Sequence, residues 1–190
     1  STDYVFDGNK STAYLEEDNT NPINYYGTSK LLGEKKILKY DLEDSIIIRT
    51  SWLYSHNKNN FVNKIIKKIK NVSEINVVDN EIGSPTNAID LANTILEIIP
   101  KINNRKTEIY HYSNSGFCSR YVLAVKINDL LGENLTINSF NKIRKEIKRP
   151  KFSVLNNNKI VQNFDIRLKS WQESLKDFVK LIKVNCENGI

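Results

Sequence analysis

Tyr26 and Lys30 stand four residues apart at the start of a segment with helical periodicity. On a helix that spacing puts a phenol and an ammonium on one face, about one turn apart. A phenol is a poor acid at neutral pH. A fixed cation beside it stabilises the phenolate and makes the hydroxyl a usable proton donor or acceptor. Upstream, Ser1-Thr2-Asp3-Tyr4-Val5-Phe6-Asp7-Gly8 reads as a strand running into a turn, where a Thr2 hydroxyl could share a substrate oxygen with Tyr26. Spacing alone does not separate a catalytic pair from an exposed pair at a helix start. The chain has 9 Tyr and is rich in Lys, so such pairs arise by chance, and Tyr54 with Lys58 is a second one. That pair runs into Ser55-His56-Asn57-Lys58-Asn59-Asn60, a polar stretch read as loop, where a spacing of four fixes no geometry. Tyr26 is the better candidate.

The elements that must hold these residues follow from the rest of the pattern. Residues 7–24 are turn-rich, and Pro22 disfavours helix just before it, so the helix carrying Tyr26 starts after this loop and runs to about Leu42. Gly33 inside that helix costs about 1 kcal/mol relative to Ala, which close packing of helix on sheet would explain. Ser45-Ile46-Ile47-Ile48-Arg49-Thr50 is a β-branched run typical of a buried parallel strand. It ends in Thr50-Ser51-Trp52, polar groups and an aromatic at a carboxyl end, where open α/β sheets bind ligands. Then come a helix over about 60–71, a strand over 75–78, a loop over 79–86, a helix over 88–99 and a strand over 108–113. Ser119 is a plausible cap for a helix through Leu131, residues 136–140 read as a strand, and Arg149-Pro150 punctuates a loop. Two last helices fall near 156–163 and 170–183, the second opened by a Ser170/Glu173 capping box. This alternation predicts an α/β sheet followed by a more helical portion.

At 190 residues, 39% hydrophobic and 26% charged, the chain can bury a sizeable core. The net charge of +6 invites a nucleic-acid reading, but lysines such as those in Asn63-Lys64-Ile65-Ile66-Lys67-Lys68-Ile69-Lys70 follow the pattern of solvated helix faces. An anionic small substrate or a phosphate-bearing cofactor fits the charge at least as well. No apolar run approaches a membrane span. Cys118 and Cys186 lack metal-ligand spacing and read as reduced thiols of a cytoplasmic protein, and His56 and His111 make no metal motif. None of the 7 Gly forms a dinucleotide-binding turn. If a dinucleotide is involved, its phosphate-binding turn lies elsewhere, and the chain reads as the later part of a longer protein.

Ser1 to Gly8, then Asn21-Pro22-Ile23-Asn24-Tyr25-Tyr26-Gly27-Thr28-Ser29-Lys30-Leu31-Leu32-Gly33-Glu34, then Arg49-Thr50-Ser51-Trp52 resemble the extended short-chain dehydrogenase/reductases. Within that superfamily the chain is similar to the dTDP-4-dehydrorhamnose reductase family. Asn59-Asn60-Phe61, Gly83-Ser84-Pro85-Thr86, Asp90-Leu91-Ala92 and Arg149-Pro150-Lys151-Phe152-Ser153-Val154-Leu155 extend the match in the same order. The resemblance implies a Rossmann-like parallel sheet, here its C-terminal part, with a smaller, more helical substrate-binding portion. It puts sheet and catalytic helix in about 1–55 and 75–115 and the substrate-binding portion in the remainder. It implies NADPH-dependent reduction of dTDP-4-dehydro-L-rhamnose to dTDP-L-rhamnose for polysaccharide synthesis, with NADH as the other nicotinamide cofactor and a Mg2+ ion allowed by the family.

By the same resemblance Thr2, Tyr26 and Lys30 are catalytic. Tyr26, Lys30, Thr50 and Ser51 bind cofactor, and Thr2, Asp3, Tyr4 and Trp52 bind the sugar nucleotide. The expected partners are the dTDP-sugar, the N-terminal half of the same protein and a second copy in a homodimer, with no nucleic acid or membrane. Two rivals share the fold. Nucleotide-sugar dehydratases carry an Asp-Glu pair where Asp3-Tyr4 stands here, and epimerases usually have small residues there. The regulatory β subunit of methionine adenosyltransferase works by binding a partner, whereas the Thr2, Tyr26 and Lys30 set favours catalysis.

Overall fold

The computed structural model describes residues 1–56, 59–141 and 148–187, with side chains through residue 183. A 3-10 turn at Asp3–Val5 is followed by α1 (Tyr25–Tyr40), β1 (Ile46–Thr50), β2 (Leu53–Tyr54), α2 (Phe61–Ile69) and β3 (Glu74–Val78). Then come β4 (Ile82–Gly83), β5 (Thr86–Asn87), α3 (Ala88–Ile98), β6 (Glu108–Tyr112) and β7 (Cys118–Ser119). The chain continues with α4 (Arg120–Leu131), β8 (Thr136–Phe140), α5 (Asn158–Phe164) and α6 (Trp171–Glu187). The fold is α/β, as the alternation predicts.

β1 and β6 pair in parallel from Ile46 opposite Glu108 to Thr50 opposite Tyr112. β3 pairs in parallel with β8, and the short pairs are β2 with β5 and β4 with β7. The strand expected over Ser1–Phe6 is reduced to its end. Thr2 bridges Thr50 in parallel, and the Thr2 hydroxyl then accepts from Tyr4 N (3.3 Å) while Phe6 N donates to Asp3 O (3.1 Å). Those bonds close a turn, so pairing stops beside the carboxyl end of β1. The expected loop over 79–86 contains β4 and the first residue of β5, strands too short to show a period.

α2 buries Val62, Ile65, Ile66 and Ile69, the i, i+3, i+4, i+7 stripe, and leaves Lys64, Lys67 and Lys68 in solvent. The stripe packs with Leu123, Ala124 and Ile127 of α4 and Leu175 and Phe178 of α6. A second cluster gathers Ile98, Tyr110, Tyr112 and Phe164 around the β1–β6 pair. Caps form where the sequence puts them: Ser119 Oγ accepts from Val122 N (3.1 Å), and Glu173 Oε2 accepts from Ser170 N (3.0 Å). Asn24, with its side chain accepting from Gly27 N (2.8 Å), caps α1. The helix stops at Asp41, in the left-handed region (φ 45°), just short of Leu42.

Under α1 lies a buried polar cluster. Arg49 donates from Nε to Glu34 Oε1 (2.9 Å) and from Nη2 to Glu34 Oε2 (2.7 Å), and both side chains are under 4% exposed. Arg49 Nη1 donates to Glu16 O (3.3 Å) and faces His111 Nε2 (3.4 Å). His111 Nδ1 lies 3.1 Å from Tyr14 O. A carbonyl only accepts and a guanidinium only donates, so the neutral imidazole with its proton on Nδ1 satisfies both neighbours.

Burial, and next the Arg49 charge, push the His111 pKa down to about 3. The folded protein thus binds fewer protons than the unfolded chain between that value and the ordinary 6.5. This contribution to stability is complete above the ordinary value and is lost as pH falls through the window. His111→Gln, neutral throughout, should show a shallower fall in urea midpoint between about pH 6.5 and pH 4 than the parent. Parallel slopes would remove His111 as the cause.

Candidate active site

The turn after Thr2, the first turn of α1 and the carboxyl end of β1 meet at one cleft of about 400 Å³. Thr2, Asp3, Tyr4, Tyr26, Thr50, Ser51 and Trp52 all line it. Every lining residue predicted from sequence is thus brought to one place. Lys30 is exposed and does not line the cleft; its Nζ lies 5.6 Å from the centroid of the Tyr26 ring. The i, i+4 geometry therefore forms, and among the described residues Lys30 makes no ion pair. Tyr26 is half exposed and meets Tyr4 edge to face, centroids 5.8 Å apart.

Two close approaches set this geometry. A Cβ on Gly27 would lie 2.1 Å from Tyr4 O, so only glycine lets the first turn of α1 press against the Asp3–Val5 turn. Gly33, by contrast, has no atom within 4 Å of its Cβ position, so the close packing expected there falls at Gly27 instead. Trp52 sits in the left-handed region (φ 43°), a strained conformation for a bulky residue. Its indole is held between Gly83, whose Cβ would lie 2.5 Å from the ring, and the Arg120 guanidinium, 3.5 Å from the ring centroid.

The polar groups of the cleft differ in what they have free. Thr2 Oγ1 donates to Asp3 Oδ1 (3.1 Å). Asp3 Oδ2 and Thr50 Oγ1 are buried without a hydrogen-bond partner. Burial pushes the Asp3 carboxyl up to about 6, against the pull of the hydrogen bonds it accepts. Burial, then the charge of Asp3, also pushes the Tyr4 phenol up, which keeps it a neutral donor. Ser51 Oγ donates to Ser84 O (2.7 Å), so that hydroxyl is engaged in holding the strand end.

Arg120 was not foreseen. It follows the Ser119 cap and reaches the cleft only through tertiary packing over Trp52 and Phe61 (4.8 Å to the ring centroid). Its Nε is buried without a partner, and burial lowers its pKa to about 10, which leaves it charged at neutral pH. Arg120 also lines an adjoining cavity of about 220 Å³ with Phe61, Lys64, Lys68, Phe140 and Arg149. No motif spacing announces it.

The rival pair dissolves. Tyr54 is a core residue of β2, 2% exposed and packed edge to face on Phe178, and Lys58 lies outside the described residues. Cys118 is a buried free thiol pushed up to about 12 by burial, hence inert, and the Cys186 side chain lies outside the described set. Among the described residues no group of three or more His, Cys, Asp or Glu side chains is arranged to hold a metal ion. No helix among them is long and apolar enough to cross a membrane.

A family model described as RmlD substrate binding domain matches residues 1–184. The chain belongs to the RmlD substrate-binding domain family. This domain is 37% identical over 189 residues to the spore coat polysaccharide biosynthesis protein SpsK of Bacillus subtilis, covering 98% of the chain and 65% of that protein. It is 35% identical to the dTDP-4-dehydrorhamnose reductase of Sinorhizobium fredii, covering 94% of the chain and 64% of the relative. The crystal structure of dTDP-4-dehydrorhamnose reductase from Bacillus anthracis in complex with NADP superposes with a TM-score of 0.86 at 37% identity, over 94% of the chain and 63% of that structure. The domain therefore spans just under two thirds of the length of these relatives.

The Gly27 contact gives a direct check on how α1 is seated. Gly27→Ala should lower stability by about 1–3 kcal/mol, because the new methyl must displace backbone and not a side-chain tip. A urea titration giving an unchanged midpoint would mean that α1 does not press on Tyr4 as described.

Proposed function

We propose that the complete protein reduces dTDP-4-dehydro-L-rhamnose to dTDP-L-rhamnose with NADPH, in nucleotide-sugar synthesis for polysaccharide in the cytoplasm. The observation that carries this reading is the cleft itself, which gathers Thr2, Asp3, Tyr26 and Trp52 at a strand end with Lys30 beside the Tyr26 ring. The names of the relatives, and the NADP bound in the Bacillus anthracis enzyme, support substrate and cofactor. A Mg2+ ion finds no support among the described residues.

In this reading a bound nicotinamide supplies hydride to the sugar C4 carbon. Tyr26 donates its phenolic proton to the C4 oxygen, and Lys30 stabilises the phenolate left behind and holds the nicotinamide ribose. Thr2 turns its hydroxyl from Asp3 to the same oxygen, so two donors meet the developing alkoxide. Asp3, with Oδ2 already free, accepts from a sugar hydroxyl, and Tyr4 and Trp52 shape the sugar pocket. Thr50, whose hydroxyl is unpartnered, fits a cofactor contact better than Ser51, whose hydroxyl is engaged with Ser84 O. Arg120, Lys64, Lys68 and Arg149 beside Phe61 and Phe140 suit a diphosphate and a pyrimidine base.

The length of the relatives supports a further N-terminal portion carrying the glycine-rich dinucleotide turn. Tyr25, Leu32 and Tyr40 are 87%, 58% and 71% exposed on α1, which supports that portion or a second copy in a homodimer covering the helix. Residues of about 1–55 and 75–115 would then carry sheet and catalytic helix. The pairing of β3 with β8 supports moving 74–78 to the substrate-binding portion.

Tyr26→Phe in the complete protein should lower kcat by about 100-fold or more, since general acid catalysis supplies roughly 10²–10⁴-fold. Substrate should still bind. Tyr54→Phe is the control: its hydroxyl is buried without a partner, so turnover should stay within about twofold. Equal losses in both variants would sink the assignment.

Lys30→Met keeps the aliphatic stem and removes the charge. Loss of a charge-assisted hydrogen bond of about 1.5–3 kcal/mol should weaken NADPH binding about 10- to 150-fold. Fluorescence titration measures it, and unchanged affinity would leave Lys30 a solvated surface lysine.

A further inference from the structure

Tyr26, Lys30 and Glu34 stand at i, i+4 and i+8, so the three project from one side of α1. The first two carry the chemistry proposed above and are exposed, while Glu34 is 3% exposed and points into the protein. Gly27 and Glu34 are the buried residues of α1; Leu32, Ile37 and Tyr40 are exposed. The apolar part of its inner face is thin: Leu31, half-buried, packs against the cluster of Val5, Phe6, Tyr14 and Leu155, and Leu38 is half-buried. Around that contact stand two polar or backbone fixings, Gly27 against Tyr4 and the two-pronged Glu34–Arg49 bond, about 10 Å apart along the axis at 1.5 Å per residue.

We infer that the Glu34–Arg49 pair is a positioning device that sets the rotation and height of α1, and so places Tyr26 at the cleft and the Lys30 ammonium beside the Tyr26 ring. Half-buried apolar contacts such as that of Leu31 carry no direction and tolerate sliding. A bidentate fork fixes distance and plane together. The arginine end is itself held. Arg49 Nη1 donates to Glu16 O (3.3 Å), its guanidinium lies 5.2 Å from the Phe6 ring centroid, and His111 faces it. Arg49 also precedes Thr50, which bridges Thr2. The fork thus ties the helix carrying the acid to the strand end that carries the other donor. Neither Glu34 nor Arg49 lines the cleft, so both are positioning residues.

The inference rests on the assignment of Tyr26, and the test separates the two. In the complete protein, kcat per NADPH-binding site, KM for the dTDP-keto sugar and the thermal midpoint are measured for three variants: Tyr26→Phe, Arg49→Lys, and the double variant Glu34→Leu/Arg49→Met. Arg49→Lys keeps the charge and loses the fork. The double variant removes both charges, so no ion is left buried alone and stability is largely retained. Both should lose about 10- to 100-fold in kcat, the scale of a 1 Å misplacement, with KM for the sugar within about threefold. A fold-stabilising role alone would leave the double variant with parental kcat at a near-parental midpoint, and that result overturns the inference. Should the double variant not fold, parental kcat in Arg49→Lys overturns it equally. If Tyr26→Phe keeps full turnover, the reading of the site falls and the pair has no acid to position. If Tyr26→Phe collapses turnover while the pair variants keep it, only this inference falls.

Discussion

A carboxylate and a guanidinium buried face to face beneath a solvent-exposed helix are the constraint on which this molecule depends. Stranding one of two such ions costs about 3–5 kcal/mol, a large fraction of the stability of a domain. Glu34 and Arg49 avoid that cost only when α1 and β1 sit in one register. The surrounding groups are arranged for the same state: a neutral His111 accepting from Arg49, the Glu16 carbonyl accepting from the same guanidinium, and Glu16 Oε1 accepting from His111 N (2.9 Å). On the inference drawn above, Tyr26 takes its position from this cluster, and Glu16, Glu34, Arg49 and His111 do not line the cleft.

Strain and close approach also shape the cleft. Trp52 occupies a backbone conformation that costs of order 1–3 kcal/mol, and Gly83 and Arg120 clamp its ring. Asp3 is buried with one oxygen unpaired, and Arg120 with Nε unpaired. Unsatisfied buried groups of this kind destabilise a fold by about 1–3 kcal/mol each unless something completes them. A sugar hydroxyl and a phosphate oxygen have the complementary polarity.

Sequence reading reached the α/β class, the capped helices and most strands because those features are local. The stripe Val62, Ile65, Ile66, Ile69, the Ser119 cap and the Ser170/Glu173 box each announce themselves within one or two turns of chain. The motif positions Thr2, Tyr26 and Trp52 were legible too, through a resemblance spread over the chain, and they line one cleft. The short pairs β2–β5 and β4–β7 were not legible, since two residues show no period.

What the sequence by itself determined is therefore the set of local elements and the chemical types at Thr2, Tyr26 and Lys30. Only the tertiary structure decided which glycine of α1 is pressed against backbone, Gly27 and not Gly33, because close approach is a property of the neighbouring chain. It alone demoted Tyr54 to the core and brought Arg120 over Trp52. It alone joined Glu34 to Arg49, two charges that in sequence look like any pair on a helix and a strand. Charge, burial and orientation combine into a site only when distant segments meet, and no spacing along one segment encodes that meeting.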